Sequence, residues 1–361
     1  MSVGMLLIGE ALIDVVRHPG QAAQRVPGGC ALNVAVGLGR LGHAPLLATW
    51  VGDDADGRRL AEHCAASGVR LVPGSDKAVR TSVAEAMIDE AGKATYAFTI
   101  DWQLPPIPDE LCPGLVHVGS IGGVLEPGGS AELAYVEAMR GQTFIAFDPN
   151  CRPALMGPQD RARTIIERYV AAADLVKASD EDLAWLYPEA GTDDGLLACA
   201  RRWASAGPAV VVVTRGAQGA FAVTRSQEVV RVGAAPIESI TGVITRHNAR
   251  KVRPLSRPPV VVADTIGAGD SFMAGLIHGL DEYGFCDFAQ NDGILAAILT
   301  QAAAMAAITV SRPGADPPWM YELALTPPPL PDPPPANNYL ARSALHGAAH
   351  ARAGEEEPLE D

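Results

Sequence analysis

Short apolar runs separated by helix-forming stretches constrain this chain more than any other feature of it. The runs are MLLIG (residues 5–9), PLLATWVG (45–52), LVHVGS (115–120), FIAFD (144–148), DLVKAS (174–179) and AVVVVT (209–214). Most are continuous in hydrophobicity rather than alternating. Helical stretches at 30–41, 56–67, 130–140 and 159–171 stand between them, so the runs read as strands buried on both faces of a mainly parallel sheet. An α/β three-layer sandwich follows. In such a layout ligands bind outside the carboxyl ends of the strands. Polar residues do gather there: Gly9-Glu10, Gly52-Asp53-Asp54, Asp148-Pro149-Asn150, Ser179-Asp180-Glu181-Asp182 and Thr214-Arg215-Gly216.

Two stretches break the alternation. Residues 80–100, RTSVAEAMIDEAGKATYAFTI, alternate polar and apolar around DEAG and predict an antiparallel hairpin beside the main sheet. With residues 10–28, the segment 80–102 would form a small β lid. Residues 234–259 carry prolines and five basic residues without periodicity and read as an inserted surface excursion. From residue 326 the chain is proline-rich (TPPPLPDPPPANN, 326–338) and ends in EEEPLED, so 326–361 is expected to be a disordered acidic tail behind one domain over 1–325.

The balance of 28 basic against 42 acidic residues, net −14, argues against nucleic acid as a partner. Six cysteines at 30, 64, 112, 151, 199 and 286 form no CxxC pair, so neither a zinc framework nor a disulfide scaffold is suggested and a reducing cytoplasm is expected. The N-terminus lacks a signal-peptide pattern, and no uninterrupted apolar stretch of membrane-spanning length occurs.

The chemistry concentrates in ADTIGAGDSFMAGL, residues 263–276. With PVVVADT running in and DSFMAGLIHGL running out, it reads as a strand feeding a helix. The first helical turn leaves backbone N–H groups free, and Gly267 and Gly269 let a ligand approach them without a Cβ in the way. The helix dipole favours negative charge at the same point, which makes an anion cradle. Asp270, in that first turn, is placed to take the proton of an attacking hydroxyl. Taken alone, GAGD reads more readily as a capped helix start. Elsewhere GGCALNVAVGLGRLG (28–42) is a Gly-Gly turn entering a small-residue helix with Asn33 on its first turns. VVVTRGAQGA (211–220) ends a buried strand in a Thr-x-Gly-x-x-Gly that offers a hydroxyl and bare amides to phosphates.

These segments together resemble the ribokinase-like carbohydrate kinase family, the phosphofructokinase-B type, from about residue 4 to about residue 318. One family signature matches Gly28-Gly29-Cys30-Ala31-Leu32-Asn33-Val34-Ala35 and the other Asp264-Thr265-Ile266-Gly267-Ala268-Gly269-Asp270. The resemblance implies a ribokinase-like sandwich with a β lid, dimerisation through that lid, and phosphorylation of a sugar hydroxyl by ATP with Mg²⁺. By position it implies Asp270 as base and Gly267, Ala268 and Gly269 as anion hole. It implies Asp14, Gly28, Gly29 and Asn33 at the sugar, and Thr214, Gly216 and Gly219 at the nucleotide phosphates. Asp264 and the carbonyl of Ile266 fall where members hold a monovalent cation, K⁺, with backbone near VSRPGA (310–315).

One departure concerns the magnesium-associated Asn-x-x-Glu, which here is Ser179-Asp180-Glu181-Asp182. Asp182 would hold Mg²⁺ through water, a role that suits an ion keeping most of its hydration shell; a helix N-cap with acidic first-turn residues is the competing reading. DPNCRP (148–153) resembles fructokinases and 2-keto-3-deoxygluconate kinases, with Arg152 facing a furanose or a carboxylate, or merely shaping its loop. Tyr96 and Phe98 at the lid base would pack on a sugar or fill the hairpin core, the core being favoured. Fructose is the first expectation. The alternatives are 2-keto-3-deoxygluconate, a ribose or nucleoside substrate, and a non-catalytic sugar- or nucleotide-sensing protein on the same fold.

Overall fold

The computed structural model describes residues 4–89, 94–233, 261–285 and 288–323. The 234–259 excursion and the 326–361 tail lie outside the described residues. The main sheet has nine strands: β1 (Met5–Ile8), β4 (Leu46–Ala48), β5 (Arg70–Leu71), β8 (Leu115–Gly119), β9 (Phe144–Asp148), β10 (Leu175–Ser179), β11 (Val210–Thr214), β12 (Ala220–Thr224) and β13 (Val229–Val232). Their spatial order is β13-β12-β11-β10-β9-β8-β1-β4-β5. The strands from β5 to β11 pair in parallel, and β12 and β13 close one edge antiparallel. All six predicted strands are present in this sheet.

Successive residues of each central strand enter opposite cores, which is why the runs are continuous rather than alternating. Leu7, Leu115, Phe144, Leu175 and Val210 face the core built with helices α1 (Cys30–Arg40), α2 (Ala55–Ala66), α8 (Ala268–Tyr283) and α9 (Asp292–Val310). Leu6, Val116, Ile145, Val176 and Val211 face the core built with α3 (Gly128–Met139), α5 (Gln159–Ala172), α6 (Asp180–Leu186) and α7 (Asp193–Ala206). A one-turn helix α4 (Pro153–Met156) leads into α5. Helix α9 is long and apolar enough to cross a membrane by length and composition. Leu295, Ile298, Leu299 and Met305 are nevertheless buried in the first core, with α9 packed against α8.

The second sheet joins β2 (Leu12–Arg17), β3 (Gln24–Gly28), β6 (Ser82–Ile88) and β7 (Ala94–Thr99) in the order β3-β2-β6-β7. The predicted hairpin is the antiparallel β6/β7 pair, and β2 pairs β6 in parallel. This sheet fits the expected lid. Its aromatic pair is not hairpin core: Tyr96 and Phe98 are 63% and 40% exposed and stack on each other at 6.3 Å. On that face Leu12, Gly28 and Ser82 are buried, while Tyr96 and Phe98 lie beyond the reach of any covering layer among the described residues.

A second correction concerns the approach to α8. Residues 261–264 form no strand, and Val261 and Val262 are exposed. The amides of Ala263 and Asp264 donate instead to the carbonyl of Val310 at the end of α9, so the segment is anchored to a helix terminus rather than to a sheet.

Candidate active site

Gly267 is the N-cap of α8 with φ +73°, a left-handed conformation that a Cβ disfavours. A Cβ there would also lie 2.5 Å from that of Ala315, so the turn is closed tightly over the segment that follows α9. Asp264 fastens the same two segments: its Oδ1 accepts from Ile266 N at 3.0 Å and its Oδ2 from Gly314 N at 2.9 Å. The amides of the first turn of α8, including those of Gly269 and Asp270, have no intrahelical acceptor.

Asp270 stands in that turn, 6% exposed. Asn33 Nδ2 donates to its Oδ2 at 2.8 Å across 237 residues of sequence, and Asn150 Nδ2 donates to its Oδ1 at 3.3 Å. Asn33 is delivered by α1, whose start is held by a buried carboxylate. Glu10 Oε1 accepts from Cys30 N at 3.3 Å and Oε2 from Gly122 N at 3.1 Å, and burial raises the Glu10 pKa. Gly29, with φ +110°, has to be glycine, because a Cβ would lie 2.4 Å from the Glu10 carbonyl. Asn150 reaches Asp270 from the loop after β9 with φ +35°, a left-handed turn that asparagine tolerates better than most residues.

Beneath these groups lies a buried ion pair. Lys177 Nζ donates to Asp148 Oδ2 at 2.8 Å, with both residues almost fully buried. Burial pushes the Asp148 carboxyl up to about 6, tempered by Lys177. Burial also works against the Lys177 ammonium, but Asp148, Asp182 and Asp270 outweigh it and hold its pKa above the ordinary lysine value. Both partners are therefore charged at neutral pH. Cys30 Sγ and one oxygen each of Asp148 and Asp270 lie within 4.8 Å of one another. Burial and the neighbouring carboxylates keep the Cys30 thiol protonated.

Asp14 on β2 faces Gly28 on β3 so closely that a Cβ on Gly28 would lie 2.1 Å from Asp14 Oδ2. Burial pushes the Asp14 carboxyl up to about 6, with the positive charge of Arg152 opposing that shift. Arg152 donates to the carbonyls of Asn150 and Cys151, so it shapes its own loop as well as facing Asp14. Arg152 thus acts on Asp14 through its charge and is bonded to the backbone of Asn150, whose side chain holds Asp270.

The other expected residues sit at the same sheet end without direct contact to Asp270. Thr214, paired in register with Ser179, donates from Oγ1 to Ala178 O at 3.4 Å, and Gly216 and Gly219 take positive φ in the following turn. Asp182 is part of a capping box: Ser179 Oγ accepts from Asp182 N, and Asp182 Oδ2 from Ser179 N. Its Oδ1 accepts from Cys151 N at 2.7 Å, tying α6 to the Asp-Pro-Asn loop. Each carboxylate oxygen has a second lone pair, so a water can still be held there. Sequence reasoning missed Glu10, Asp148, Asn150 and Lys177 as individual residues. Lys177 had a signal, since a charge inside the apolar run LVKAS has to be paired once buried.

The sequence profile described as pfkB family carbohydrate kinase matches residues 5–320. The chain belongs to that family. A fructokinase of Klebsiella pneumoniae is 33% identical over 318 residues, covering 86% of this kinase and 94% of the relative. A double mutant of fructokinase from Vibrio cholerae O395, in a fructose, ADP and potassium ion bound form, superposes with a TM-score of 0.67. It is 25% identical and covers 87% of this chain and 94% of that one. Aminoimidazole riboside kinase from Salmonella enterica, complexed with aminoimidazole riboside and an ATP analogue, gives a TM-score of 0.69 at 25% identity, over 89% and 98% of the two chains. The kinase is a sugar phosphotransferase on a ribokinase-like fold.

Proposed function

We propose that this kinase transfers the γ-phosphoryl group of ATP to a hydroxyl of fructose, with Asp270 as general base. The observation that carries the reading is the pair of amides on Asp270. Asn33 from one signature segment and Asn150 from the Asp-Pro-Asn loop each hold one of its oxygens, which fixes the carboxylate as positioning of a base requires. The fructokinase relatives and the fructose-bound Vibrio cholerae structure support the choice of sugar.

Asp14, Gly28, Gly29, Asn33 and Arg152 bind the sugar from the lid side, the carboxylate of Asp14 accepting from its hydroxyls. Asp270 draws the proton from the attacking hydroxyl as it reaches phosphorus. The amides of Gly267, Ala268 and Gly269 serve the transferring group, that of Ala268 shared with the Thr265 carbonyl at 3.3 Å, where the flanking glycines carry no side chain and the helix dipole favours negative charge. Thr214, Gly216 and Gly219 hold the remaining nucleotide phosphates. Asp182 fits a water-bridged Mg²⁺ through its free lone pairs, and the ion supplies charge neutralisation on the phosphates when bound. Asp264, pinning two irregular backbone segments, is the anionic centre of a K⁺ site completed by the Ile266 carbonyl. The free cysteines among the described residues suit a reducing cytoplasm, where ATP is abundant.

An ATP-coupled assay across fructose, 2-keto-3-deoxygluconate, ribose and adenosine tests the substrate. Fructose is expected to give the highest kcat/KM. A higher value for another sugar reassigns the substrate, and sugar binding without any ADP formation would point to the sensing alternative.

A further inference from the structure

Lys177 has no role in the reaction as described so far, yet it is the only buried lysine or arginine among the described residues. It lies on β10, on the sheet face that carries α1 and α8, because Leu175 two residues earlier enters that core and Val176 enters the other. The position of its ammonium is marked by Gly269. A Cβ built on that glycine would lie 2.9 Å from Lys177 Nζ, with no other atom besides the same side chain within 4 Å. The ammonium is therefore against the Gly269 end of the Gly267–Gly269 turn, beside the amides of Gly269 and Asp270 that have no intrahelical acceptor.

Several carboxylates act on this ammonium. Asp148, Asp182 and Asp270 all act on Lys177, three carboxylates against one cation. A phosphoryl group entering this turn brings further negative charge to a place where Asp270 has to stay within reach of the sugar hydroxyl. Amides and a helix dipole supply partial charges only. An ammonium has three N–H donors, and the bond to Asp148 uses one of them.

We propose that Lys177 is a catalytic residue of this kinase whose ammonium contacts the phosphoryl group in transfer, with Asp148 holding it in place from the opposite side. The inference rests on the kinase reading of the site. In the step the bond from the γ-phosphorus to the bridging oxygen of ADP breaks, the sugar oxygen bonds to phosphorus, and the hydroxyl proton goes to Asp270. Lys177 keeps its protons throughout and stabilises charge on the non-bridging oxygens. Gly269 is then required twice over, for its open amide and because a side chain would push the ammonium out of place.

The direct test is a crystal structure of the wild-type enzyme with ADP, sugar and aluminium fluoride, which stands in for the phosphoryl group in flight. A fluoride within about 3.2 Å of Lys177 Nζ is expected, the ordinary reach of an N–H donor. A fluoride seated on the Gly267–Gly269 turn but beyond about 5 Å from Nζ overturns the proposal while leaving the kinase reading intact. Kinetics give a second reading. Lys177→Met alone strands a buried carboxylate, so the informative variant is Asp148→Asn with Lys177→Met, which removes the pair together. It is expected to lose about 10²–10³-fold in kcat, the scale for one donor at a developing charge. Its ADP affinity should stay within about two-fold of wild type, while the affinity for a non-hydrolysable ATP analogue falls. A folded double variant with kcat near wild type would overturn the proposal, as would equal losses for ADP and the analogue, the mark of a purely structural pair. Absence of sugar-dependent turnover in the wild type would instead defeat the kinase reading on which both arms stand.

Discussion

Asp14, a partly buried carboxylate, would trade stability for the proposed sugar binding. Its pKa rises from 3.8 to about 6 because burial disfavours the ionised form. A raised carboxyl pKa means that its contribution to stability is full below about pH 4 and lost as the pH climbs through 6. At neutral pH the ionised group costs up to about 3 kcal/mol, the shift of about two units converted at 1.36 kcal/mol each. In the proposed sugar site the ionised form is the stronger acceptor for a hydroxyl. KM for the sugar should therefore rise as the pH falls through about 6, with a smaller effect on kcat. Asp14→Asn should raise KM at neutral pH, flatten its pH dependence and leave the melting temperature unchanged or higher. A KM profile identical to wild type would remove Asp14 from the sugar site.

The two helix entrances are the elements on which the site depends. Gly267→Ala combines a left-handed residue with a Cβ at 2.5 Å from Ala315 and should destabilise by about 2 kcal/mol or more. A lower melting temperature and a lower kcat are expected together, because the turn is both the start of α8 and the proposed anion cradle. Asp264 ties that turn to Gly314, and a cation held there would stiffen the same junction. Replacing Na⁺ by K⁺ should raise kcat, and an Asp264→Ala variant should respond weakly; indifference of the wild type would exclude a monovalent cation site at this turn. Much of this was legible in the sequence. The strand runs, the small-residue helices and both glycine turns were visible because burial on two faces and left-handed backbone restrict residue choice locally. What local pattern does not carry is side-chain convergence. Asp148 with Asn150, and Lys177, come from two separate segments and meet each other and Asp270 only through sheet order, and VVVA ahead of Asp264 satisfied a strand pattern although Val261 and Val262 are exposed and the Ala263 amide bonds to a helix end.

At the scale of the whole molecule, the four-stranded sheet exposes Val26, Tyr96 and Phe98 on one face and Met87 on the other. The exposed apolar side chains of the first face suit a second copy of the same chain, packed lid to lid. Light scattering should give twice the monomer mass, and Tyr96→Ser with Phe98→Ser should shift it toward the monomer; a monomeric wild type at micromolar concentration would contradict lid pairing. The nine-stranded sheet, meanwhile, brings two signature segments from opposite ends of the chain to one carboxylate. The measurement that tests this account most directly is the fructose-dependent rate of ADP formation by wild-type enzyme and by Asp270→Asn. The account predicts turnover in the wild type and a loss of at least about 10²-fold in kcat in a variant that keeps its fold and sugar affinity. Turnover retained by Asp270→Asn would contradict it.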